Sequence, residues 1–334
     1  MASVPARVPD PGRAAWAAWA AVRASPLAAW LLYVAIGIGG ASALVLVACD
    51  GDSHPRDDVP VATPRPKPKL AVPAAKPERL DAPDPIPPYQ LYPDLGAALQ
   101  ALTRDQPRVI GIGELHVRTD RPGPSVSALA RFSAEVLPAI GAKVSDVVVE
   151  TWTVDPSCQK AAAGTQKIES NMKRPVTTKS EIGALFGVAR SRSITAHVMR
   201  LSCADLGSFA GDRALDAEKL LGLVTRELDR VTRSAVRYRD EHHETRPIIL
   251  VYGGALHNDL YPFQSTKQWS YGVGVDDATG GRYVELDVFA PELVEHEPVY
   301  EHEPWYPLVA KADGQGVILI ERAPRSYLAL LPRS

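Results

Sequence analysis

Three cysteines in 334 residues are too few for a disulfide scaffold, and none has the C-x-x-C spacing of a metal knuckle. The C-x-x-C-H of covalent haem is also missing, so any haem would be held reversibly. Nor is there an excess of positive charge. The chain has 37 basic and 39 acidic residues, a formal net of −2, which argues against a nucleic-acid surface. What remains is 46% apolar residues, enough for an ordinary core, in a length that allows one large domain or two small ones.

One long stretch lacks charge altogether. Pro26 to Cys49 is almost wholly apolar, and Arg7, Arg13 and Arg23 precede it with only Asp10 opposing. That is the layout of a secretory signal. It closes on Leu46-Val47-Ala48-Cys49, which resembles a bacterial lipobox, so residues 1–48 read as a lipoprotein signal peptide and Cys49 as the lipidated residue. The alternative is an uncleaved anchor, since about 20 apolar residues span a bilayer. Several acyl chains on one Cys give a stable attachment, and the expected location is the cell envelope, on a membrane. Gly37-Ile38-Gly39-Gly40 lies inside this run and not at a strand–helix junction, so it is no nucleotide loop. Residues 49–90 are Pro-rich and charged, as in Pro64-Arg65-Pro66-Lys67-Pro68-Lys69, and read as an extended tether.

The folded part is expected over residues 91–334, as an α/β domain with a mainly parallel sheet, flanking helices and a C-terminal β extension. Asp94 is a candidate cap for a helix through Leu102, and Val109 to Ile112 reads as a buried strand. Ser125 or Ser127 can start a helix to Ile140 that ends at Gly141. Val147 to Val149 is the next strand, completing a βαβ unit. Residues 151–180, with Gly164, Asn171 and Pro175, read as an irregular lid or insertion. A helix over 181–191 and a strand over 195–201 follow. Ala217, Leu221, Val224, Leu228, Val231 and Ala235 form one apolar stripe on a long helix opened by Asp212 or Asp216. Further strands are predicted at Ile248 to Tyr252, Tyr283 to Phe289, Val317 to Ile320 and Tyr327 to Leu331. The last two are suited to a hairpin around Pro324-Arg325.

Two stretches share one design. Val109-Ile110-Gly111-Ile112-Gly113-Glu114-Leu115-His116 and Leu250-Val251-Tyr252-Gly253-Gly254-Ala255-Leu256-His257 are each an apolar strand followed by Gly-x-x-His. Buried strands of this kind pair in parallel sheets, whose ligands sit at the carboxyl ends of the strands. With Glu150 ending the strand between them in sequence, the candidate site is His116, His257, Glu114 and Glu150. Two imidazoles and two carboxylates suit Zn²⁺, Mn²⁺, Co²⁺ or Fe²⁺ with a water-activating position open. The same groups can work without metal, a carboxylate-oriented His as base and the second His as acid. The residues alone leave both open, and the bland alternative is a pair of buried histidines after tight Gly turns.

The Gly-Glu-x-His and Gly-x-x-His motifs with Glu150 resemble the Tiki/TraB superfamily, most closely its ChaN-like and erythromycin-esterase-like branches. The resemblance spans about residues 105–290, and its specific part is those three short pieces. It implies either a divalent-metal-dependent hydrolase of peptide or ester bonds or, alternatively, a haem- or iron-binding lipoprotein without catalysis. His116 and His257 would then face the cofactor. Partners would be the membrane, through Cys49, and a small molecule, haem or peptide. The family's usual Arg has Arg118 and Arg200 as candidates.

Smaller features have plainer readings. Cys158 and Cys203 are left once Cys49 is lipidated, and export permits a disulfide between them; the alternative is two separate thiols. Asp205 reads as a loop cap. His242 and His243 end the long helix, where its dipole favours positive charge. Glu295-His296-Glu297-Pro298 and Glu301-His302-Glu303-Pro304 read as a solvated loop beside Trp305 and Tyr306.

Overall fold

The computed structural model describes residues 86–334, apart from Pro156, Asp212, Arg213 and Gln315. Residues 1–85, with the apolar run, Cys49 and most of the tether, lie outside the described residues. The fold is α/β: one eight-stranded, mostly parallel sheet with helices on both faces. Strand β1 (Tyr89–Tyr92) is an edge strand, placed where the tether was expected to end. Helix α1 (Leu95–Leu102) follows, capped as predicted by Asp94, whose side chain accepts from the Ala97 N–H. Strand β2 (Val109–Glu114) is buried at every residue and runs two residues further than predicted.

Ser127 caps the next helical segment, which is α2 (Ala128–Arg131), a π turn over Phe132–Val136, and α3 (Leu137–Ile140). The break has a cause in the sequence. Pro138 has no N–H to give the preceding turn, so the ladder widens there. Gly141 ends the helix as expected, with right-handed dihedrals, and leads into a further tight turn. Strand β3 (Val144–Thr153) then carries Glu150.

Residues 151–180 depart most from expectation. They hold the end of β3, helix α4 (Gln159–Met172) and the start of helix α5 (Thr177–Ser191), joined by a turn with Lys173 at φ 50°. Gly164 is a packing position and not a breaker: a Cβ there would lie 1.8 Å from the Leu206 carbonyl oxygen. That carbonyl belongs to helix α6 (Cys203–Gly207), which follows edge strand β4 (Thr195–Arg200). Cys158 and Cys203 form a disulfide that ties the start of α4 to the start of α6. Closing 45 residues in this way removes about 4 kcal/mol of unfolded-chain entropy in the chain-entropy account.

Asp216 caps the long helix α7 (Ala217–Glu241), and Asp212, the other candidate, lies outside the described residues. Its stripe buries Leu223, Val224, Leu228, Val231, Ala235 and Val236 against Val109, Val148, Ile249 and Val251 of the sheet. The other face packs α1, α2, α3 and α5 on Ile110, Ile112, Val147, Val149, Leu250 and Tyr252. Residues of one strand thus alternate between two cores, as a sheet covered on both faces requires. Strand β5 (Ile248–Gly254), helix α8 (Gly272–Ala278) and strand β6 (Tyr283–Phe289) complete the parallel part. Strands β7 (Val317–Ala323) and β8 (Ser326–Leu330) form the expected antiparallel hairpin, with Arg325 at φ 67°, and β8 also pairs in parallel with β6.

The strand order is β1-β7-β8-β6-β2-β5-β3-β4. Strand β5 inserts between β2 and β3, so the two Gly-x-x-His strands are direct neighbours in register, Gly113 beside Gly253 and Glu114 beside Gly254. Among the described residues no helix is long and apolar enough to cross a membrane.

Away from the site, α7 is fastened to the sheet by Asp146, which is 1% exposed. Arg239 of α7 grips its carboxylate through Nε at 2.8 Å and Nη2 at 3.1 Å, and His197 approaches at 2.7 Å. Burial opposes the charge, but these partners outweigh it and hold the carboxyl down at about 2. A lowered folded pKa stabilises above the unfolded value near 4, and the gain fades as pH falls toward 2. Asp146→Asn is therefore expected to lose about 2 kcal/mol at pH 7, with the deficit vanishing in acid. Urea unfolding of both proteins at pH 7 and pH 3 checks this, and an equal deficit at both values would contradict it.

Candidate functional site

Strand alternation aims the two carboxylates from opposite faces. Glu114 shares a face with Ile110 and Ile112, and receives a hydrogen bond from the buried Tyr252 hydroxyl on that side. Glu150 shares the other face with Val148 and lies over Gly253, where a Cβ would come within 2.7 Å of its Oε2. The β3–β4 register shifts between Val149 and Trp152, the kind of irregularity that re-aims a side chain. Glu150 Oε2 also accepts the Gly254 N–H at 2.6 Å.

His116 sits past the end of β2, between the two carboxylates. Its Nδ1 lies 2.8 Å from Glu114 Oε1, and its Nε2 lies 3.7 Å from Glu150 Oε1. A residue that sequence reasoning missed completes the group. Arg174, in the α4–α5 turn, places Nη2 2.6 Å from His116 Nε2 and 3.5 Å from Glu150 Oε1, and Nη1 3.8 Å from Glu114 Oε1. The side chains of Glu114 and Glu150 are 8% and 6% exposed, while His116 and Arg174 keep 26% and 19%. The histidine and the guanidinium are the parts a substrate can reach.

Neither suggested arginine takes that place. Arg118 is paired with Asp120 at the surface, and Arg200 is exposed at the end of β4. The only sequence signal for Arg174 was Lys173-Arg174-Pro175, a basic pair before a helix-stopping Pro, inside a segment read as irregular. Its turn is docked on the loop after β2: the Thr119 N–H donates to the Lys173 carbonyl and Lys173 pairs with Asp120.

His257 is 4% exposed. Its Nδ1 lies 3.0 Å from the Trp269 carbonyl oxygen and 2.8 Å from Thr225 Oγ1 of α7. A carbonyl only accepts, so Nδ1 carries the hydrogen and Nε2 keeps its lone pair. Burial, with His116 and Arg174 as nearby positive groups, pushes this imidazole below its usual pKa despite Glu150. His116 goes the other way. Burial and Arg174 press it toward neutrality, but Glu114 and Glu150 outweigh them and raise it. Both carboxyls stay below the usual range: burial opposes the charge, and His116 and Arg174 outweigh it.

Among the described residues, these four do not form a group whose ligand atoms lie within 4.8 Å of one another. His116 Nδ1 is engaged by Glu114, His257 Nδ1 by Trp269 and Thr225, Glu150 Oε2 by Gly254, and a guanidinium stands at His116 Nε2. The group of three with ligand atoms mutually within 4.8 Å is instead Asp259, Glu285 and Asp287. This all-oxygen triad could hold a metal ion, and its donors suit Mg²⁺, Ca²⁺ or Mn²⁺ better than Zn²⁺. Arg322 already bridges Glu285 and Asp287. Burial pushes the Glu285 carboxyl up to about 7 and raises Asp287 as well, against the pull of Arg322.

The remaining polar motifs serve the fold. Asp205 forms a capping box with Ser202. His242 caps α7 and stacks on Tyr238. Glu295 pairs with Arg333 and Glu297 with Arg121, and Trp305 is buried against Phe289 and Tyr300.

No family model and no curated protein matches this chain. Among solved structures, "The structure of the type III effector HopBA1" is similar with a TM-score of 0.37 and 12% identity, over 73% of this chain and 98% of that one. A likeness at that level carries no inference about function.

The opposed environments of the two histidines can be read directly. In a ring-proton NMR titration, His257 should titrate below 6.5 and His116 above it. Arg174→Met should raise the His116 midpoint further, because a positive neighbour is removed. Equal midpoints in the native protein would contradict this electrostatic picture.

Proposed function

We propose that this protein is a hydrolase of ester or peptide carbonyls that works through an acid–base pair of histidines. The observation that carries the reading is the placement of His116 and His257 at the ends of adjacent strands, in surroundings that drive their protonation apart. Groups pushed in opposite directions are the usual mark of an acid and a base working together. Neutral His257 takes a proton from water, which attacks the carbonyl carbon. The Arg174 guanidinium faces the charge that develops on the carbonyl oxygen. As Arg174 turns from His116 Nε2 to that oxygen the nitrogen is freed, and the His116 imidazolium, supported by Glu114 and Glu150, protonates the leaving alkoxide or amine through it. The carboxylate-flanked histidine is thus the acid and not the base, because two carboxylates favour its charged form.

The divalent metal implied by the Tiki/TraB resemblance would need His116 Nε2, and Arg174 occupies that side. No step is assigned to a metal. The envelope location proposed for a chain lipidated at Cys49 is supported by the Cys158–Cys203 bond, since disulfides persist in oxidising compartments.

Purified protein is to be assayed on a panel of aryl esters and peptides, with and without EDTA. Turnover resistant to EDTA is expected, bell-shaped in pH, falling in acid as His257 gains a proton and in alkali as His116 loses one. His116→Ala and His257→Ala should each cost about 10²- to 10⁴-fold. Full activity in both variants would sink the reading. Activity lost to EDTA and restored by Mn²⁺ would transfer the chemistry to a metal, and a haemin-induced absorbance shift that needs both histidines would favour the haem-binding alternative. In cells, Cys49→Ala should move the protein from the membrane to the soluble fraction.

A further inference from the structure

Asn258, next in the chain to His257, is fully buried, and its Nδ2 donates to Asp287 Oδ1 at 3.1 Å. Two residues on, the Leu260 N–H donates to Glu285 Oε2 at 2.6 Å. The second oxygen of each carboxylate goes to the same guanidinium: Arg322 Nη1 meets Asp287 Oδ2 at 2.7 Å, and Nη2 meets Glu285 Oε1. Arg322 is fixed in turn on the β7–β8 hairpin through the Tyr327 carbonyl at 3.2 Å. Each carboxylate of β6 therefore has one oxygen on the loop that carries His257 and one on Arg322.

The sheet makes room for this plug. A Cβ on Gly113 of β2 would lie 2.4 Å from Asn258 Oδ1, and one on Gly111 would lie 1.9 Å from the Tyr283 hydroxyl. That hydroxyl donates to the Asn258 carbonyl at 2.7 Å. Residues 255–271 hold little regular structure, a single tight turn at Lys267–Trp269, so no ladder sets their course.

We infer that Arg322, acting through Asp287 and Glu285, is a positioning residue that fixes the loop aiming His257. The inference rests on the reading of His257 as a working member of the site. Arg322 takes the cationic place in the acidic triad and keeps two buried like charges side by side. Without it, the carboxylates gain protons or separate, and their hold on Asn258 and Leu260 goes with them. Asp259, Tyr271, Tyr283 and Ser326 also face this cluster and stay unchanged in the test.

The test compares wild type with Arg322→Met and, separately, Asn258→Ala, which leaves the ion pairs intact. Arg322→Met is expected to speed amide exchange at Leu260 and across 255–271 by at least about tenfold, one charge-assisted hydrogen bond's worth, while β2 and β5 stay protected. The His257 ring signals should shift and those of His116 should not. Asn258→Ala should shift the His257 signals too, and it serves alone if Arg322→Met does not fold. His257 signals that stay put in a folded variant, or exchange that rises equally throughout the sheet, would overturn the inference. A shifted His257 in a protein with no hydrolase activity would leave the inference standing and remove the proposed function.

Discussion

The in-register parallel pairing of β2 with β5 is the constraint on which the rest of the site depends. It sets Gly113 beside Gly253 and Glu114 beside Gly254, so both chains leave the sheet at one edge. The glycines leave room there for what packs above them, Glu150 on one strand and the Asn258 plug on the other. Shift the register by one residue and every side chain changes face. Glu114 would then lose Tyr252, and the imidazole of His116 would lose Glu150.

Charge is distributed around that edge in two separate balances. One is the cluster of Glu114, Glu150, His116 and Arg174, open enough for a substrate. The other is the buried set of Asp259, Glu285, Asp287 and Arg322, behind the His257 loop. In both, a guanidinium takes the place a metal ion would take among carboxylates. Arg suits that role because its fork meets two carboxylates at once and never loses its charge. The two balances meet at His257, which is neutral because it is buried and because the positive groups of the first cluster lie near.

The sequence signals that succeeded were local or strictly periodic. Asp94, Ser127 and Asp216 cap helices as their side chains allow, and the apolar stripe of α7 and the apolar runs Val109 to Ile112 and Ile248 to Tyr252 define the layers. The failures lie where a residue's meaning came from a distant partner. Gly164 looked like a breaker because its contact, the Leu206 carbonyl, is 42 positions away. Arg174 carried no periodic signal, and its role exists only because the α4–α5 turn is docked on the loop after β2. Nothing in the β7 sequence tied Arg322 to a loop 60 residues earlier.

The repeated strand-Gly-x-x-His pattern, by itself, determined that two histidines would leave a buried parallel sheet at its carboxyl edge, with Glu114 and Glu150 at strand ends beside them. Backbone sterics and burial enforce that much locally. Only the tertiary structure decided their chemistry. Protonation depends on which charges and hydrogen-bond partners lie within a few ångströms, and those groups, Arg174 at His116 and the Trp269 carbonyl with Thr225 at His257, come from chain segments that folding alone brings together.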